Sequence, residues 1–155
     1  MAITVGQKAP DFTLADAFRK PVTLSSFAGN KVVVFFYPGA FTAVCEKEMC
    51  TIRDAMADFD SGGTQVLGIS VDAPAANKAF ADKNGLKFPL LSDYTRYVSS
   101  QYCGLVNNFA GLIGLTAANR AAYVIDGSGT VTYAWVSENP GVEPPYDEVK
   151  KHLLS

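Results

Sequence analysis

The sequence predicts an α/β fold, a central mixed sheet flanked by helices, and three observations carry that expectation. Residues 32–37, Val-Val-Val-Phe-Phe-Tyr, and residues 65–71, Gln-Val-Leu-Gly-Ile-Ser-Val, are nearly unbroken apolar runs. Runs without polar alternation belong to strands covered on both faces. Each is followed by a segment with helical spacing, and strand–helix repeats build parallel βαβ units. Residues 121–136 instead carry two strand-like runs around Gly127-Ser128-Gly129, the pattern of an antiparallel hairpin.

The elements follow in order. Phe12 to Leu24 forms an N-terminal extension, read as additional strands or a hairpin. Asn30-Lys31 precedes the first buried strand and Pro38-Gly39 ends it. A helix is expected over residues 42–59, where Val44, Ile52, Ala55, Met56 and Phe59 are placed mostly at helical intervals. Gly62-Gly63 is its expected stop. The second strand leads through Asp72-Ala73-Pro74 into a helix over residues 75–83, which ends at Asn84-Gly85. After the hairpin, Pro144-Pro145 introduces a last short helix over residues 146–153. A parallel βαβ half, an antiparallel hairpin and a terminal helix make a thioredoxin-like layout. With no repeat, low-complexity tract or Pro/Ser-rich linker, residues 1–155 read as one domain.

Composition narrows the function. Hydrophobic residues make up 48% and charged ones 18%, a globular balance. A net charge of -2 without a basic cluster argues against a nucleic-acid partner and against an anionic membrane surface. The least charged stretch, Tyr97 to Asn119, is broken by Gly, Asn, Ser and Gln and makes a poor membrane span. No secretory signal is visible, so the expected location is the cytosol. Three cysteines, Cys45, Cys50 and Cys103, are too few for a disulfide scaffold. Cys45 and Cys50 have poor ligand spacing and His152 is the one histidine, so neither a metal nor another cofactor is expected. His152 reads as a charge at a helix C-terminus.

The stretch from Tyr37 to Cys50, Tyr-Pro-Gly-Ala-Phe-Thr-Ala-Val-Cys-Glu-Lys-Glu-Met-Cys, runs from the C-terminal end of a buried strand into a helix. In open α/β sheets that junction is where ligands bind. With Thr42 as N-cap, Cys45 falls on the third residue of the helix. There the unpaired N–H groups and the helix dipole favour a thiolate, which is the nucleophilic form of cysteine.

Pro38, Thr42 and Cys45 match the spacing P-x-x-x-T-x-x-C, and the chain here resembles the peroxiredoxins. Glu48, three residues past the cysteine, and Arg120, ahead of a late strand, sit where the resemblance puts a Glu and an Arg. Gly6 to Phe12 and Phe88 to Asp93 extend the similarity over essentially the whole chain. Taken singly, Pro38 reads as a strand end, Thr42 as a cap, Cys45 as a small buried hydrophobe, Glu48 as a solvated carboxylate and Arg120 as a surface residue. The five together at this spacing are not explained so.

The resemblance implies a thiol peroxidase acting on hydroperoxides. Cys45 attacks, becomes a sulfenic acid, and is reduced by a thioredoxin-like or other thiol. Thr42, the Cys45 backbone N–H and Arg120 would stabilise the departing oxygen, Arg120 would keep Cys45 ionised, Pro38 would shield the sulfur and Glu48 would orient Arg120. Glu48 occupies the position where a Cys-x-x-Cys oxidoreductase needs its second cysteine, which argues against disulfide exchange. The Cys45–Cys50 spacing is similar to the bacterioferritin-comigratory or peroxiredoxin-Q subgroup, in which the second cysteine resolves the sulfenic acid. A one-cysteine enzyme resolved by an external thiol is the alternative, as relatives with a tail like Asn139 to Glu143 suggest, and a non-enzymatic redox sensor or holdase is another. Cys103 reads as a packed residue near a helix end, with a role as a spare resolving cysteine left open. The uncharged stretch Gly104 to Ala118 is too apolar to leave in water and is expected to border the active site or a homodimer contact. Monomer and homodimer both remain open.

Overall fold

The computed structural model describes residues 2–55 and 63–154. The N-terminal extension is a small hairpin, β1 (Thr13–Ala15) paired antiparallel with β2 (Pro21–Thr23). There follow β3 (Val32–Phe36), α1 (Ala43–Asp54), β4 (Gln65–Ser70), α2 (Pro74–Asn84), β5 (Leu90–Ser92) and α3 (Tyr97–Tyr102). The second half holds β6 (Leu105–Val106), β7 (Ala117–Ala118), β8 (Ala121–Ile125), β9 (Val131–Val136) and α4 (Tyr146–Leu154). The expected helix positions 56–59 and Gly62 lie outside the described residues.

Among the described residues the main sheet has the order β2-β1-β5-β4-β3-β8-β9. β3, β4 and β5 run parallel, while β8 and β9 pair antiparallel beside β3, so the sheet is mixed as expected. β3, an interior strand between β4 and β8, is buried along its whole length because both faces are covered. Val32, Val34 and Phe36 point into one apolar layer with Leu67, Ile69, Tyr102 and Cys103. Val33, Phe35 and Tyr37 point into the other, with Cys45, Met49, Ile52 and Phe80. Each such side chain contributes about 1.5–3 kcal/mol when fully buried. Gly68 in β4 is required by closeness. A Cβ there would stand 2.7 Å from Leu90 Cδ2 and 3.5 Å from Tyr37 Cε1.

α2 begins with Pro74, whose missing N–H costs nothing at a helix start, and ends on Gly85 at φ +61. The buried face of α1 is Cys45, Glu48, Met49 and Ile52, one stripe at three- and four-residue spacing. This rotates the helix away from the sequence expectation: Val44 is half-buried and the carboxylate of Glu48 lies inside.

The stretch Gly104 to Ala118 leaves an apolar tip uncovered. β6 and β7 pair antiparallel, and Ala117 and Ala118 are buried. Between them Leu112 is 58% and Ile113 96% exposed. Within the chain this apolar tip is therefore not buried. Among the described residues, no helix is long and apolar enough to cross a membrane.

Candidate active site

The site grows from the way β3 ends. Tyr37 still pairs its N–H with the Ile69 carbonyl, and then Pro38 stops the ladder, since it has no N–H to give. The Ala40 N–H donates to Asp72 Oδ2 at 2.7 Å, which fastens the loop to the end of β4. Phe41 takes a left-handed conformation, φ +64, which costs a non-glycine residue about 1–3 kcal/mol. Its ring packs edge-on against Phe80, and that contact helps hold the strained residue in place.

Thr42 is the N-cap by backbone conformation, and its carbonyl accepts the first helical bond from Glu46. Its hydroxyl does not cap. It donates to the Gly39 carbonyl at 2.8 Å, so the first-turn amides of α1 carry no side-chain cap. Cys45, on that first turn, is completely buried.

Arg120 lies just ahead of β8 and is itself only 1% exposed. Its Nη2 donates to Cys45 Sγ at 3.3 Å, its Nη1 to Glu48 Oε2 at 3.1 Å, and its Nε to the Pro140 carbonyl at 2.8 Å. The guanidinium thus bridges the sulfur and the carboxylate while the backbone after β9 fixes its plane. Glu48 Oε1 is buried without a hydrogen-bond partner. Around the rim, Lys47 pairs with Glu143 at 3.0 Å, and the Tyr146 hydroxyl donates to Glu143 Oε1 at 2.7 Å.

The electrostatics correct one expectation. Burial pushes the Cys45 thiol above its ordinary value, and the Glu48 carboxylate adds to that. Arg120, the Thr42 hydroxyl and the Gly39 backbone pull in the opposite direction. The helix start and the cation were expected to hold the thiol low; in this closed pocket desolvation outweighs them. Burial likewise raises Glu48 from 4.5 to about 8 against the pull of Arg120.

Thr42, Cys45, Glu48 and Arg120 are thus gathered in one place, and Pro38 lies buried in the loop that leads from β3 to them. Cys50 is not brought to Cys45. α1 is intact between them, and five residues of helix span about 7.5 Å. The Cys50 thiol instead donates to Asn84 Oδ1 at 3.4 Å. Cys103 lies in the opposite apolar layer, across the sheet from Cys45. His152 sits in the last turn of α4 as expected, its ring tilted against Tyr133.

Comparison with known proteins decides the family. The AhpC/TSA family pattern matches residues 5–134. This chain belongs to that family, the peroxiredoxins. It is 39% identical over 141 residues to alkyl hydroperoxide reductase E of Mycobacterium bovis, covering 90% of this chain and 88% of the relative. It is 41% identical over 153 residues to the chloroplastic peroxiredoxin Q of Sedum lineare, covering 99% and 79%. Its fold matches the crystal structure of peroxidoxin BcpB from Mycobacterium tuberculosis with a TM-score of 0.83, at 30% identity over 98% and 97% of the two chains. The thioredoxin-like fold and thiol peroxidase activity follow from the family, and the substrates are hydroperoxides with thiols as reductants.

Several residues of this peroxiredoxin's site were not legible in the sequence. Asp72 looked like a turn residue, and only the register of β3 with β4 puts it under Ala40. The Pro140 carbonyl and Glu143 looked like tail. Pro140-Gly141 marks a turn there, but nothing in the spacing aims it at Arg120.

Proposed function

We propose that this peroxiredoxin uses Cys45 as its peroxide-reducing nucleophile and Cys50 as the residue that resolves the sulfenic acid. The observation that carries the first part is the Arg120 guanidinium bonded to the Cys45 sulfur, with both side chains buried. The thiolate attacks one oxygen of ROOH. An S–O bond forms, the O–O bond breaks, sulfur gives up two electrons, and RO⁻ departs with the negative charge. Arg120 is the donor best placed to meet that charge, the Cys45 N–H at the helix start is a second, and Thr42 joins them when its hydroxyl turns from Gly39. Pro38 shields the sulfur. Glu48 holds the guanidinium in plane.

The Cys50 thiolate then displaces hydroxide from the sulfenic sulfur to give a disulfide and, after protonation, water. A disulfide needs Cα atoms within about 7 Å, so the first turns of α1 must unwind. An external thiol, of thioredoxin-like or other type, returns both cysteines to the reduced state. One observation favours a second reading, resolution of Cys45 by an external thiol alone: α1 is intact and Cys50 is engaged with Asn84.

Intact-mass analysis after stoichiometric peroxide, on wild type and on Cys45→Ser, Cys50→Ser and Cys103→Ser, tests the assignment. Resolution by Cys50 gives a wild-type product two hydrogens lighter and a Cys50→Ser product that stops at sulfenic acid and proceeds to sulfinic acid. A wild type that accumulates sulfenic acid yet turns over with external thiol establishes the one-cysteine mechanism instead.

A further inference from the structure

We propose that Glu48 and Cys45 share one proton across the Arg120 guanidinium, and that Glu48 releases it when peroxide consumes the thiolate. The inference rests on the reading of Cys45 as the nucleophile. Its physical basis is a count of charges. Cys45, Glu48 and Arg120 are all fully or almost fully buried, and they offer one permanent cation to two acids. Two anions facing one cation leave a net charge in a dry pocket, and an uncompensated buried charge is expensive enough that a group takes up a proton instead.

The hydrogen bonds say which acid holds it. An ionised carboxylate is a pure acceptor and needs donors on both oxygens. Glu48 Oε2 has Arg120 Nη1, but Oε1 is buried with no partner. Leaving that oxygen without a partner costs more for a charged carboxylate than for a neutral acid. Among the described residues, none supplies Glu48 with a second cation. The groups facing Glu48 are Arg120 ahead of β8, Cys45 on its own helix, Tyr37 at the end of β3, Glu143 in the segment after β9, and Tyr146 on α4. Lys47 is paired with Glu143 and mostly in solvent. Tyr37 and Tyr146 are both pushed above their ordinary values by burial and stay neutral. Burial raises Glu48 to about 8 and raises the Cys45 thiol as well, so the two acids compete for the proton beside one cation.

The reaction then balances without a change in pocket charge. Cys45 thiolate, ROOH and the Glu48 carboxylic acid give Cys45 sulfenic acid, ROH and the Glu48 carboxylate. The negative charge that leaves sulfur on RO⁻ is neutralised by the proton Glu48 gives up, and Arg120 faces one anion before and after. Glu48 in this role is a positioning residue that also sets the ionisation of the nucleophile.

Two measurements test it. Difference infrared spectra of the wild type at neutral pH, before and after one equivalent of hydrogen peroxide, should show a carboxylic-acid C=O band lost and carboxylate bands gained, and Glu48→Gln should lack both changes. Mass-resolved alkylation of Cys45 against pH should stay within about one unit of wild type in Glu48→Gln, because the neutral amide stands in for the neutral acid beside the thiolate. A charged Glu48 that only orients Arg120 would instead give a profile lower by about 1–3 units once its charge is removed, and that result overturns the proposal. So does a wild-type spectrum with no carboxylic-acid change while mass confirms that Cys45 is oxidised, an outcome that leaves the nucleophile assignment standing. Failure of Cys45 to oxidise at all overturns both. The infrared arm uses the wild type and stands even if Glu48→Gln does not fold.

Discussion

Cys45 and Cys103 are both buried, one in each apolar layer of the sheet, and burial pushes both thiols up. The Cys103 thiol reaches about 12, and its sulfur contacts the carbonyls of Ser99, Gly104 and Asn119, which are acceptors and give no help to a thiolate. Cys45 has Arg120 Nη2 at 3.3 Å and the start of α1 beneath it. Desolvation by itself makes a cysteine inert. A cation carried into the same dry pocket is what makes one usable.

The contrast is broken most directly by exchanging hydroxyls for the two thiols. Cys45→Ser should reduce peroxide turnover to background, whereas Cys103→Ser should keep most of it, as measured by peroxide consumption with a thiol reductant. Equal losses would mean that the two layers are not functionally distinct. Next in size is Arg120→Ala. It removes the hydrogen-bond partner of both Cys45 and Glu48, so oxidation of Cys45 should slow by about 10²–10³-fold and stability should fall by roughly 1–3 kcal/mol. Stopped-flow oxidation and urea unfolding report the two losses separately.

A smaller effect sharpens the comparison through pH. The folded state holds the Glu48 proton up to about 8, against an ordinary 4.5 in the unfolded chain. A raised value stabilises the fold below the unfolded pKa, and that contribution is lost as pH rises through the folded one. Unfolding free energy of the wild type should therefore decline between these limits with a slope of about one proton. Glu48→Gln should be flat there in urea titrations across the range. The least effect is expected at the tip between β6 and β7. Replacing Leu112 and Ile113 with Lys should change stability by no more than about 0.5 kcal/mol. If the exposed tip is a homodimer contact or a border of the peroxide path, sedimentation or organic-peroxide turnover will change.

Much of this was legible in the chain because it is local. The runs at 32–37 and 65–71, the Asn84-Gly85 stop and the hairpin around Gly127 each depend on a few adjacent residues, and each appears within a residue or two of its expected limits. β5 did not announce itself, being three residues beside Pro89. Within the site, Pro38, Thr42, Cys45 and Glu48 share one turn-and-helix segment, so their spacing was informative. Arg120 was found through resemblance alone, because 75 residues separate it from Cys45. The burial of Glu48 was hidden, since its place depends on the rotation of α1 against the sheet. So was the net direction of the Cys45 shift, which depends on how completely water is excluded.

The outer side of α1 is fastened lightly. Glu46 meets Lys83 at 2.9 Å and Asn84 at 3.3 Å, and Asn84 also receives the Cys50 thiol. An exposed ion pair of this kind is worth about 0–1 kcal/mol and weakens in salt. Under the resolving role proposed for Cys50, the end of α2 acts as a clock. The longer these contacts last after oxidation, the longer the sulfenic acid waits beside Arg120, and the more often a second peroxide arrives before the disulfide closes. Ionic strength would then set the ratio of recovered to permanently inactivated enzyme, although neither Lys83 nor Glu46 bonds to the reacting sulfur.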